Sequence, residues 1–243
     1  MKTALITGAN KSIGLETARQ LLKKGYFIFL GSRDLAKGEQ AVAQLKSEGL
    51  TQVEAIEIDV ADINSIKNAR QSIKTGSLDL LINNAGISGG FPQLPTQVPS
   101  ETIRRVFDTN FFGAIDVIRV FFDLLSKSAS PVIVNVTSGL GSLTLHSDPN
   151  WMYYTIKGGA YGPSKTALNA YTVALAYELR GTPFRVNAID PGYTSTDFNQ
   201  HRGTGTLEGA AAFVVKYATI GPDGPTGRYF SHDYEPNGNE SPW

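Results

Sequence analysis

The strongest constraint on the fold is a repeated alternation of short β-rich apolar runs with stretches of helical periodicity. The runs are TALIT at 3–7, YFIFL at 26–30, VEAIEI at 53–58, LDLLIN at 78–83, PVIVNV at 131–136 and FRVNAI at 184–189. Between the first two lies IGLETARQLLKKG, in which Ile13, Ala18, Leu21 and Leu22 share one face and Gly25 supplies a stop. Strands joined through helices pair in parallel, and a sheet covered on both faces selects near-continuous apolar strands such as VIVNV. The pattern predicts an α/β fold, a single-domain doubly wound parallel sheet with helices on both faces, over residues 1–243. Ligands of such sheets bind beyond the carboxyl ends of the strands, so each functional motif is expected just after one.

Lysine plus arginine equals aspartate plus glutamate at 22 each. No net field therefore holds the chain on nucleic acid or an anionic membrane, and ligand specificity must be local. The absence of cysteine excludes disulfides, thiolate catalysis and cysteine-ligated zinc. His146, His201 and His232 are scattered without metal-ligand spacing, so no metal site is expected. MKTALIT is too short for a secretory signal and no long apolar run occurs, which predicts a soluble cytoplasmic protein. The carboxyl-terminal region 220–243 is rich in Gly, Pro, Asn and Asp and reads as loops around one short strand near Gly227–Ser231. Either it packs near the substrate mouth or its last eight residues are loosely ordered.

TGANKSIG at 7–14 follows the first strand and leads into a helix. Glycines there let the backbone turn tightly while the helix N-terminus offers unpaired N–H groups to a diphosphate, although a polar turn has the same composition. NNAG at 83–86, YGPSK at 161–165 and PG at 191–192 follow, each just after a strand or at a helix start. With these motifs in this order the chain resembles the short-chain dehydrogenases/reductases, whose loop reads TGxxxGxG and whose active site contains YxxxK. Within that family it looks most like the NADPH-dependent carbonyl reductases. The resemblance covers essentially the whole chain and implies a Rossmann-like, NADP(H)-binding catalytic domain acting on a small-molecule carbonyl or alcohol.

The resemblance implies cofactor contacts from Gly8, Asn10, Lys11, Ser12, Ile13 and Gly14. Ser12 departs from the pattern at its second glycine, where a missing Cβ admits the diphosphate; its hydroxyl either caps the following helix or donates to a phosphate oxygen. Asp34 lies about twenty positions past the loop, where an acid often binds the NAD ribose. The strand YFIFL is read as ending at Leu30, however, so the ribose neighbours become Gly31, Ser32 and Arg33, and Asp34 caps the next helix. Arg33 and Lys11 fall at the family's two NADP-selecting positions, where an arginine grips a 2′-phosphate with paired hydrogen bonds. Taken alone they read as ordinary solvated charges. By the same resemblance Asp59 and Val60 flank the adenine, Asn83, Ala85 and Gly86 line the cofactor, and Pro191, Gly192, Thr194 and Thr196 clamp the nicotinamide.

Tyr161 and Lys165 are four apart in a helical stretch, so their side chains share a face. Pro163 is tolerated only in a first turn, which places Tyr161 at the helix start. A lysine ammonium at about 4 Å favours the phenolate by roughly 4 kcal/mol before desolvation opposes it, which predicts a phenol made more acidic. The resemblance assigns Tyr161 as general acid/base, Ser138 as the group that hydrogen-bonds the substrate oxygen and Asn110 as the holder of the lysine's water; Tyr161 and Lys165 also contact the cofactor. The 23 positions between Ser138 and Tyr161 exceed the family's common spacing, giving a substrate-side insertion around 140–160. Its Trp151, Met152, Tyr153 and Tyr154, with Tyr193, form either an apolar substrate wall or anchors for the loop. Monomeric carbonyl reductases carry a longer insertion here, so monomer and homo-oligomer both stay open. Among rivals, a dehalogenase-like lyase has arginine at the position of Lys165, an NADP-binding regulator without turnover typically lacks YxxxK, and extended epimerases or dehydratases need a larger carboxyl-terminal domain.

Overall fold

Side chains alternate along each strand between two faces, and that alternation divides the apolar residues into two cores. The computed structural model describes residues 1–234 and 239–243; residues 235–238 of the carboxyl-terminal loop region lie outside the described residues. Seven strands, β1 (Thr3–Ile6), β2 (Phe27–Ser32), β3 (Val53–Glu57), β4 (Leu80–Asn83), β5 (Val132–Val136), β6 (Arg185–Asp190) and β7 (Tyr229–Ser231), form one sheet. Their order is β3-β2-β1-β4-β5-β6-β7 and every pairing is parallel. The chain runs outward from β1 to β3, then returns to β4, so β1 and β4 flank the point where the winding reverses.

Ala4, Ile6, Ile28, Leu30, Leu80 and Val134 point to one core, closed by α1 (Ser12–Lys23) and α2 (Leu35–Ser47) and, near the chain's end, by a late helix through Phe213 and Val214. Leu5, Phe29, Leu81 and Ile133 point to the other, closed by α3 (Ile63–Ser72) and by helices contributing Phe121 and Leu175. On that second face α4 (Ser100–Phe107) passes through a π-helical turn at Asp108–Phe112 into α5 (Gly113–Leu125). The short α6 (Leu143–His146), the long α7 (Tyr161–Glu178) and the late helix α8 (Leu207–Ala218) complete the framework. The doubly wound α/β expectation is met.

Three boundaries matter for the site. Strand β2 does not end at Leu30: Gly31 and Ser32 continue the pairing with Ile56 and Glu57 of β3, so Arg33 is the first residue off the sheet. Gly31 is required there, since a Cβ would lie 2.8 Å from the Ile6 carbonyl oxygen. Tyr161 is the first residue of α7 and Pro163 stands in its first turn, as the proline rule requires. The last described segment packs against the insertion: Ser142 Oγ donates to the Pro242 carbonyl at 2.7 Å, Thr144 N–H to that of Trp243 at 3.0 Å, and the Trp243 ring stacks on Tyr229. Among the described residues no helix is long and apolar enough to cross a membrane.

Candidate active site

The glycine loop is held by its neighbour strand. Thr7 Oγ1 accepts from the N–H groups of Asn84 and Ala85 at 3.1 and 3.0 Å, and Asn84 Nδ2 donates to the carbonyls of Thr7 and Gly8 at 2.9 and 3.0 Å. Gly8 takes φ +62°, and a Cβ on it would lie 2.9 Å from Ala85 Cα; on Gly14 a Cβ would come within 2.6 Å of the Gly8 carbonyl oxygen. Both positions therefore exclude a side chain. The N-cap of α1 is Lys11, which makes no side-chain cap bond, so the helix presents N–H groups to the cleft.

Ser12 is where the sequence expectation needs correction. It does not cap α1, because it sits inside the first turn with φ +52° in the left-handed region that glycine favours. The departure from glycine thus costs backbone strain. Asn10 and Ile13 complete the loop, Ile13 packing against the first core.

Arg33 is exposed at the end of β2, without an ion-pair partner among the described residues. Asp34 caps α2 as expected, accepting from Lys37 N–H at 3.2 Å. Lys11 is not free: its Nζ lies 2.9 Å from Asp197 Oδ2, so two exposed side chains bridge the loops after β1 and β6. Asp59 and Val60 follow β3, the Asp59 carboxylate taking the Ala61 N–H at 3.0 Å and Val60 buried in the second core. Asn83 turns into the sheet, donating to Asn135 Oδ1 at 2.9 Å, so only its backbone faces the cleft side of NNAG. After β6 come Pro191, Gly192 and the buried Thr194 and Thr196; Asn199 Oδ1 accepts from Thr196 N–H at 3.2 Å.

Asn110 and Lys165 meet at Gly86, and Tyr161, one helical turn before Lys165, hydrogen-bonds Ser138. A Cβ on Gly86 would lie 3.3 Å from Asn110 Oδ1 and 3.7 Å from Lys165 Nζ. Asn110 sits in the π-helical turn, accepts from Ile87 N–H at 2.8 Å and donates to the Ile87 carbonyl and Ser164 Oγ at 3.0 and 3.1 Å, tying the NNAG loop to α7. Lys165 Nζ donates to the Val136 carbonyl at 2.8 Å and lies 5.9 Å from the Tyr161 ring centre. Ser138 accepts from Leu140 N–H at 3.2 Å, while its own carbonyl takes the Tyr229 hydroxyl at 3.0 Å.

The charge argument made from sequence is overturned here. Burial pushes the Tyr161 phenol up rather than down, the Asp190 carboxylate adds to the rise, and a hydrogen bond with Ser138 only partly opposes it. Lys165 is itself lowered to about 8 by burial, with Asp190 opposing the fall. Desolvation dominates, so the phenol stays protonated at neutral pH.

Several contacts around this group are invisible to local sequence rules. Gln93 Oε1 accepts from Tyr161 and Ala160 N–H groups at 3.0 and 3.3 Å, capping α7 from 68 positions away. The Phe198 ring lies 5.3 Å from that of Tyr161. In the insertion, Trp151 packs on Tyr153 and Tyr153 on Tyr193, and Tyr153 Oη donates to Asp233 Oδ2 at 2.9 Å. A Cβ on Gly139 would meet Trp151 at 3.2 Å, so this ring rests on the Ser138 loop. Met152 is 68% exposed and joins no wall, since the loop turns its side chain to solvent. Tyr154 faces Lys157, whose Nζ lies 4.2 Å over its ring.

A seven-stranded doubly wound sheet with this glycine cradle and a Ser138–Tyr161–Lys165 group defines a nicotinamide-linked oxidoreductase class. Residues 2–206 match the short chain dehydrogenase family, and the chain belongs to it. It is 33% identical to a (+)-neomenthol dehydrogenase of Capsicum annuum, with 93% of this chain and 94% of that protein covered. Salutaridine reductase from Papaver somniferum superposes with TM-score 0.83 at 30% identity, covering 96% of this chain and 100% of that one. An NADPH-bound carbonyl reductase from chicken fatty liver gives TM-score 0.85 at 25% identity, covering 100% and 99%. The residues present fit a dinucleotide: Gly8 and Gly14 leave a cradle that a Cβ would fill, and α1 has no side-chain cap.

Proposed function

We propose that the protein reduces ketones or aldehydes to alcohols with NADPH, reversibly, as one cytoplasmic catalytic domain. The observation that carries the reading is a half-buried Tyr161 hydrogen-bonded to Ser138, with Lys165 beside Gly86, at the carboxyl ends of β4 and β5. The reduced nicotinamide, when bound, supplies the hydride. Tyr161 Oη donates the proton to the substrate oxygen, and Ser138 Oγ stabilises charge on that oxygen. Lys165, Asn110, Gly86 and Ala85 orient the cofactor side of the site, and Pro191, Gly192, Thr194 and Thr196 hold its nicotinamide end. Arg33 and Lys11 grip the 2′-phosphate, Lys11 by exchanging Asp197 for it.

Phe198 on the Tyr161 ring and Trp151 on the Ser138 loop supply aromatic surface, which Tyr153 extends to Tyr193, and this supports bulky ketones or aldehydes as the substrate class. The test is loss of NADPH absorbance, then NADH absorbance, against a panel that includes bulky cyclic ketones and aldehydes. Turnover with NADPH is expected; tight NADPH binding without turnover on any member would favour a nucleotide-sensing protein instead.

Ser12→Gly is expected to tighten NADPH binding severalfold by calorimetry and to raise unfolding stability. Relief of a left-handed serine contributes roughly 1–2 kcal/mol, and glycine's extra chain entropy offsets about 0.5–1 kcal/mol of it. Weaker binding by the glycine variant would mean that the serine hydroxyl donates to the diphosphate.

A further inference from the structure

Asp190 ends β6 immediately before Pro191–Gly192, is 5% exposed, and has no part in the reading above. Its Oδ1 accepts from Gly192 N–H at 3.0 Å and its Oδ2 from the Ser231 hydroxyl of β7 at 2.7 Å. A Cβ on Gly139, the neighbour of Ser138, would lie 3.2 Å from Oδ2, so this glycine allows the serine loop to lie directly on the carboxylate. Its main-chain carbonyl takes the His232 N–H at 3.0 Å. One residue thus joins the loop that bears Ser138, the turn assigned to the nicotinamide, and the edge strand.

We propose that Asp190 is a positioning residue for the Tyr161–Lys165 pair, holding the Ser138 loop and the Pro191–Gly192 turn on β7 and fixing a negative charge beneath the site. The field reaches both partners: it opposes the desolvation of Lys165 and adds to that of Tyr161. Burial lifts the Asp190 carboxyl to about 6, Asp233 adds to the rise, and hydrogen bonds from Ser231, Gly192 and Gly139 pull against it. At neutral pH the group is therefore mostly ionised. The titratable groups that share its field among the described residues are Tyr161 and Lys165 on α7, Tyr229 on β7, Asp233 after it and Tyr153 in the insertion. An ionised Asp190 keeps Lys165 an ammonium to higher pH, and neutralising it lets both Lys165 and Tyr161 lose protons more readily.

The proposal deepens the reductase reading, but its decisive measurement needs no turnover. Lysines of the full chain are labelled with carbon-13 and titrated by NMR without cofactor, the Lys165 resonance being the one missing in Lys165→Met. The expected wild-type midpoint is near 8, with a second inflection near 6 as Asp190 protonates. In Asp190→Asn the lower inflection disappears and the Lys165 midpoint falls by on the order of one pH unit. Ser231→Ala, which keeps the charge and removes one hydrogen bond, raises the lower inflection and leaves the Lys165 midpoint in place. In the kinetic arm, Asp190→Asn lowers kcat about tenfold with little change in the NADPH KM, and the alkaline limb of the rate moves to lower pH.

A Lys165 midpoint unchanged in Asp190→Asn overturns the proposal, whatever happens to the rate. Should that variant fail to fold by circular dichroism, an unmoved lower inflection in Ser231→Ala overturns it instead. A wild type that reduces no carbonyl removes the reductase reading alone, because the NMR titration still decides the role of Asp190.

Discussion

Tyr161→Phe is expected to lose about a thousandfold in kcat for carbonyl reduction while binding NADPH as the wild type does. A positioned general acid contributes roughly 10²–10⁴ in rate, and phenylalanine removes the Oη proton while keeping the ring. Tyr161 packs on Phe198 through its ring, and its backbone is held by Gln93, so neither contact depends on the hydroxyl. Fluorescence titration of NADPH checks that binding persists, and single-turnover absorbance reads the chemical step. Turnover within tenfold of wild type would contradict Tyr161 as the donor. Because burial keeps this phenol protonated at neutral pH, the reductive direction starts from the correct form. The oxidative direction must first remove that proton and should gain rate as pH rises.

The second large effect concerns cofactor choice. Arg33→Asp is expected to cut kcat/KM for NADPH about a hundredfold and that for NADH little, because charge-assisted bonds to a phosphate contribute about 1.5–3 kcal/mol and the new carboxylate repels a 2′-phosphate. Strand β2 continues to Ser32, so Arg33 leaves the sheet at its carboxyl edge with no competing acid engaged among the described residues. Asp34 stands next to it, but its carboxylate is committed to the Lys37 N–H at the head of α2. Parallel kcat/KM measurements with the two cofactors decide the matter, and equal losses for both would remove the assignment of Arg33.

The sheet was readable because strands buried on two faces must be apolar almost throughout, and the motifs were readable because this fold places its ligand contacts after strand ends. Asp34 as a cap and Tyr161 at a helix start also followed from local rules. What escaped depends on contacts distant in sequence. Gln93 caps α7 from another loop, Phe198 reaches Tyr161 across the cleft, and Lys11 meets Asp197 at a separation of 186 positions. Asp190 carries no local signal, since nothing near it in sequence reveals that Ser231 and Gly192 both donate to it. The Tyr161 electrostatics went the wrong way for a related reason: a pairwise charge estimate contains neither the burial of both partners nor a third, acidic neighbour.

The ion pair across the cleft bears on how fast a dinucleotide enters. If Lys11 serves the 2′-phosphate, an incoming anion must displace a carboxylate already seated there, so capture includes an exchange of partners. Added salt screens the attraction that draws the anion in, yet it also loosens the exposed Lys11–Asp197 contact that stands in its way. The two effects oppose each other, and association should slow with ionic strength less steeply than in an Asp197→Asn variant, whose lysine waits unengaged.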